Sequence, residues 1–158
     1  MSAQFEVTRT TSIAADPARV HALVDDFHEW IAWSPWEDLD PDLRRKYSGP
    51  DAGAGARYAW AGNRKAGEGS MEITGSTPER IDIELTFLKP FKATNHVDIT
   101  LTPSGSGTEV VWRMTGEHRG LAKLVFRFMS MDKMVGPDFE KGLARLRTVA
   151  EEAAPRSG

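Results

Sequence analysis

The stretch Leu121–Ala153, LAKLVFRFMSMDKMVGPDFEKGLARLRTVAEEA, decides how the chain is read. Its apolar residues are Leu121, Leu124, Val125, Phe128, Met131, Met134, Val135, Phe139, Leu143, Leu146, Val149 and Ala150, mostly three or four apart with a few adjacent pairs. That spacing lays one wide apolar stripe along a helix and leaves the other faces charged. Gly136–Pro137 interrupts the stripe, because proline lacks the N–H that a helix interior uses. The stretch therefore reads as one kinked helix or two. From Asp138 to Ala153 a helix covers about 24 Å, enough to cross a sheet.

Upstream, the period changes to two. Phe5, Val7, Arg9, Thr11 and Ile13 alternate with polar residues, which predicts a strand with one half-buried face. Arg9 falls on that inner face, so it must reach solvent or a carboxylate, or else face a ligand. Asp16–Pro17 is an N-cap followed by proline at the first helical position, and Val20, Leu23 and Val24 make the buried side of a short helix. A second short helix is expected from Phe27 to Trp33, ending before Ser34–Pro35. Trp30, Trp33 and Trp36 crowd this turn.

The middle of the chain predicts a meander of about six more strands. Leu43–Tyr47 carries Arg44, Arg45 and Lys46, a run suited to a solvated sheet edge. Tyr58 and Trp60 share a face of the next strand. Gly67–Thr74 turns Met71 and Ile73 inward, and Gly75–Pro78 reads as a turn. Arg80–Leu88 alternates most clearly, with Ile81, Ile83, Leu85 and Phe87 inside. Phe91–Thr102 puts Ala93, Asn95, Val97, Ile99 and Leu101 inside, with His96, Asp98 and Thr100 outside. Thr108–Gly116 turns Val110, Trp112 and Met114 inward.

Composition excludes several classes. The 158 residues suit a single domain, 1–158, with an ordered core over about 4–153. A net charge of −3 argues against a nucleic-acid partner, which calls for a basic face. Without cysteine there is no disulfide, thiolate nucleophile or Cys-based zinc site. No apolar run approaches the about 18 residues of a membrane span, and no signal sequence is evident, so a cytoplasmic protein is expected.

The order of elements is one strand, two short helices, a strand meander and a long helix. It resembles the helix-grip fold of the START and birch-pollen-allergen (SRPBCC) superfamily. The segments SIAADPARVHALVDDFHEWIAWSPWE, GAGARYAWAGNRKAGEGSMEI, TPERIDIELTF, GTEVVWRMTGE and DFEKGLARLRTVAE look like its bacterial polyketide cyclase/dehydrase and lipid-transport branch. The resemblance covers about Phe5 to Glu152. It implies an α+β fold in which a curved antiparallel sheet of about seven strands grips the terminal helix around a cavity. It also implies greasy ligands, with cyclisation or dehydration in some members. No shared catalytic signature transfers to this chain, so whether it is an enzyme stays open.

The inward positions define the expected cavity wall. Strands supply Trp60, Met71, Ile83, Leu85, Phe87, Asn95, Val97, Trp112 and Met114, and the helix supplies Phe128, Met131, Met134, Phe139 and Leu143. An ordinary packed core is the competing reading. Asn95 is the polar residue of this wall, and its amide wants a partner: a ligand group, water or backbone. His21, His28, His96 and His118 show no metal-ligand spacing, so neither metal nor cofactor is expected. His118, at a strand end beside Glu117, is a candidate acid/base at a cavity mouth, against the simpler reading of a solvated histidine. Arg119, Lys123 and Arg127 form a basic stripe, which is either a solvated face or a dock for anionic lipid. The expected partner is a small hydrophobic molecule: a lipid, polyketide or aromatic metabolite. The alternatives are a cyclase or dehydratase acting in the same cavity, and a carrier that touches membranes. The oligomeric state is open between monomer and homodimer.

Overall fold

The computed structural model describes residues 3–35, 40–64, 66–89, 92–118 and 131–153. The chain opens with strand β1, Ala3–Ile13, whose Val7 and Ile13 are buried. Helix α1, Pro17–Val24, starts where expected: Asp16 Oδ1 accepts the Arg19 N–H at 2.9 Å and Pro17 occupies the first turn. The expected second helix is a single 3-10 turn, Glu29–Ala32. Its tryptophans fold back instead of extending it. Trp30 Nε1–H donates to Val24 O at 3.0 Å and Trp33 Nε1–H to Leu23 O at 2.9 Å, so two carbonyls at the end of α1 are satisfied by indoles.

Six strands follow: β2, Arg44–Ser48; β3, Arg57–Ala61; β4, Glu68–Thr77; β5, Arg80–Lys89; β6, Ala93–Ser104; and β7, Gly107–His118. They form a 7-stranded antiparallel sheet in the order β1-β7-β6-β5-β4-β3-β2. Strand β4 runs on through Gly75, where a turn was expected. A register shift between Ile73 and Gly75 breaks the alternation there, which makes a strand look like a turn. Gly105 takes a φ of 60° in the tight turn joining β6 to β7, a conformation glycine reaches without strain.

The chain ends in α2, Met131–Ala153, one helix with Pro137 inside it. Phe139, Leu143, Leu146 and Ala150 are its buried side. Two glycines bring this helix close. A Cβ at Gly136 would collide with the Arg9 guanidinium, and one at Gly142 would lie 2.9 Å from both Pro35 Cδ and a Trp112 ring carbon. Polar ties hold the same side: Arg9 Nε to Glu140 Oε2 at 2.9 Å, Ala14 N–H to Glu151 Oε2 at 2.8 Å, and Arg145 Nη1 to Ser34 O at 3.1 Å. Arg9 thus finds the carboxylate that its inward position demanded. Among the described residues, no helix is long and apolar enough to cross a membrane.

Candidate functional site

Register sorts the inner face of the sheet into rows. One row runs Val7–Met114–Val97–Ile83–Ile73, and none of these side chains is more than 4% exposed. The row beside it joins Arg9, Trp112, Ile99 and Ile81. Here α2 packs directly on the sheet. The Trp112 and Phe139 rings stack with centroids 4.1 Å apart and planes 4° apart. Trp33 meets Trp112 edge-on at 5.5 Å, and Trp30 lies 4.4 Å from Trp33. Apart from Arg9, these described side chains are buried.

The rows on the other side are different. Leu85 and Asn95 are paired across β5 and β6, followed by Met71, Tyr58 and Tyr47 outward to the edge. Beyond them lie Ala93, Phe87, Gly69 and Trp60. Met71, Phe87, Trp60, Tyr47 and, at the β1 end, Phe5 stay partly exposed, although they lie against the core. Gly69 lets the Trp60 indole lie flat on the sheet, where a Cβ would come within 2.6 Å of the ring. Trp60 Nε1–H donates to Ala66 O at 2.9 Å, and its ring meets Phe87 edge-on at 5.9 Å.

The expected wall therefore divides. Trp60, Met71 and Phe87 offer accessible apolar surface, with Leu85 and Asn95 at its border. Ile83, Val97, Trp112, Met114, Phe139 and Leu143 are closed into the core. Phe128, the side chains of Met131, Met134 and His118, and the stripe Arg119, Lys123 and Arg127 lie outside the described residues. An open cleft of about 520 Å³ at the ends of β1 and β7 is lined by Gln4, Phe5, Glu6, Thr115, Gly116 and Glu117. Its lining draws on both faces of the sheet, with Phe5 and Gly116 belonging to the inner one.

Two polar constellations are not legible in the sequence pattern, because tertiary packing creates them. On the outer face, Asp82, Asp98 and Arg113 stand in one cross-strand row. Arg113 Nε and Nη2 reach Asp98 Oδ2 at 3.0 and 2.9 Å, and Arg80 Nη2 lies 2.9 Å from Asp82 Oδ1. The Asp82 carboxylate raises the Arg80 guanidinium above its already high ordinary pKa. His96 Nε2 sits 3.1 Å from Asp82 Oδ1, and ligand atoms of Asp82, His96 and Asp98 lie within 4.8 Å of one another. Two guanidinium groups balance the two carboxylates, so the arrangement works as an ion network across β5, β6 and β7. A cation would have to displace those arginines.

The second constellation joins β4 to α1. Ser76 Oγ–H donates to Asp25 Oδ1 at 2.7 Å, and His21 Nε2 lies 3.4 Å from Ser76 Oγ. An activated serine gives its proton to histidine, with the carboxylate behind the imidazole. Here the serine O–H donates to the carboxylate directly, and the group acts as a brace.

The fold has close parallels. Protein CV1439 from Chromobacterium violaceum superposes with a TM-score of 0.67 at 17% identity, over 92% of this chain and 96% of that one. Ara h 8.0201 gives 0.60 at 13% identity, over 94% and 96% of the two chains. DynU16, from the dynemicin biosynthetic locus, gives 0.62 at 16% identity, over 95% of this chain and 48% of its own. Identities this low establish a common fold and nothing finer. No curated protein matches the chain. A family model does, over residues 4–151, the whole span from β1 to the last turn of α2. With sheet, helix and sequence profile in agreement over that span, the chain belongs to the polyketide cyclase/dehydrase and lipid transport family.

Proposed function

We propose that the chain binds a small hydrophobic molecule between the sheet and α2, at the end of the inner face marked by Trp60, Met71 and Phe87. One observation carries this reading. The inner rows under Trp112 and Phe139 are sealed, whereas Phe5, Trp60, Met71 and Phe87 keep apolar surface open on the same concave face. Apolar surface left inside a fold is surface that a greasy guest can cover, at roughly 25 cal/mol per Å² removed from water. Methionine at position 71 suits guests of varied shape. The family description, which joins small-molecule cyclisation to lipid transport, agrees with such a guest. So does the biosynthetic setting of DynU16.

Titration with an apolar fluorescent probe tests it. The protein is expected to bind 1-anilinonaphthalene-8-sulfonate in the micromolar range. Met71→Trp, which fills the proposed space, should weaken binding at least about tenfold while circular dichroism stays unchanged. If no member of a chemically broad probe panel binds the wild-type protein, the reading fails.

A further inference from the structure

Asn95 is the buried polar side chain that borders the open part of the inner face, at 4% exposure. Its cross-strand partner is Leu85. On the β7 side it lies over Gly116: a Cβ there would run into Asn95 Oδ1 and stand 2.8 Å from Phe5 Cζ. Glycine at 116 therefore makes room for the carboxamide. Asn95 Nδ2–H donates to the Met114 sulfur at 3.8 Å, a long and weak bond. Asn95 Oδ1 is buried and accepts no hydrogen bond from the described residues. Turning the amide over would not help, because it would set the oxygen against the thioether, acceptor against acceptor.

A buried carbonyl oxygen with no donor is unfavourable, and a structure that keeps one invites a donor from outside. Leu85 beside it and Met71 and Phe87 beyond are the wall proposed above for the guest, so this inference rests on that reading. We infer that Asn95 is a specificity determinant: its Oδ1 accepts a hydrogen bond from a hydroxyl or N–H carried on the buried part of the ligand. The ligand is then an apolar molecule with at least one such donor, a phenol, alcohol or amine-bearing ring, and not a bare hydrocarbon or an ether. An anionic carboxylate on that part of the ligand is disfavoured, since it would bring its own lone pairs against Oδ1. The pliable Met114 thioether lies beside the amide and can shift as the donor approaches.

Two probes that differ only in the donor decide the matter: 2-naphthol and 2-methoxynaphthalene, titrated calorimetrically into the full chain. The ether is the more apolar of the two, so a wall without an acceptor prefers it. With Asn95 accepting, the wild-type protein binds the naphthol about three- to tenfold more tightly than the ether. Asn95→Leu loses that preference and still binds the ether. If wild type binds both equally or favours the ether, the role of Asn95 is wrong and the hydrophobic site stands. Preference for the naphthol that survives in Asn95→Leu also overturns it, since the hydroxyl is then recognised elsewhere. If neither probe binds, the site itself falls and the inference with it. The wild-type comparison needs no variant, so a poorly folding Asn95→Leu cannot hide the answer.

Discussion

Gly142 shows how far a single residue can invert a general rule. In an exposed helix interior, glycine to alanine adds about 1 kcal/mol of stability. In α2 the added methyl would press on Pro35 Cδ and the Trp112 ring, each 2.9 Å away. Overpacking of this kind costs about 1–3 kcal/mol. Gly142→Ala should therefore destabilise the protein by about 1 kcal/mol or more, which urea unfolding will show as a lower midpoint. An unchanged or higher midpoint would mean that the helix can step back. Such close approaches are not written in the hydrophobic pattern, where Gly136 and Gly142 look like weak points of the helix. Asp98 is a second case. Alternation sets it correctly on the outer face, yet it is 2% exposed. The long side chains of Arg113 and Arg80, on flanking strands, reach it: Arg113 donates to its Oδ2 and Arg80 adds a longer ion pair at 3.5 Å.

At the scale of the element, α2 was legible because its stripe keeps a helical period across Gly136–Pro137, and one helix of the two options results. What the period could not supply is how the helix is fastened. Glu151 illustrates this. It sits in the last turn, where the helix dipole disfavours a negative charge, but its carboxylate accepts the Ala14 N–H at 2.8 Å and faces Arg147 at 3.2 Å. The Ala14 N–H, reinforced by Arg147 and opposed by some desolvation, holds this carboxyl below its usual 4.5. A carboxyl whose pKa is lower folded than unfolded favours the folded state once it is ionised. Its contribution is thus complete above about pH 4.5 and is lost as pH falls through the lowered folded value. Melting temperatures measured from pH 6 downwards should fall more steeply for wild type than for Glu151→Gln over that acid range. Parallel acid limbs would show that the tie to β1 contributes nothing.

The whole molecule is graded from one side to the other. Order of elements and strand alternation disclosed the sheet, the helix and the inner face, because each rests on a local period. Pairing register is not local, so neither the outer ion network nor the boundary between sealed and open inner rows is legible in the sequence pattern. The gradient is measurable. Strands β6 and β7 have partners on both sides and lie under buried residues of α1 and α2, whereas β2 pairs only with β3 and alternates between exposed and half-buried. Amide hydrogen exchange should be slowest in the centre of β6 and β7 and fastest in β2, with β3 next. Equal protection across the sheet would contradict a structure that is firm at one end and yielding at the other.

The first strand of the chain hydrogen-bonds to the last. Ala3–Ile13 pairs along its length with Gly107–His118, and the helix that covers it comes later still. A nascent chain leaving the ribosome therefore carries Phe5, Val7 and Ile13 for most of its synthesis with no neighbouring strand to receive them. Closure is a late event, slow because distant segments must meet before either is rewarded. Until then the opening segment is the part most in need of shielding from other chains.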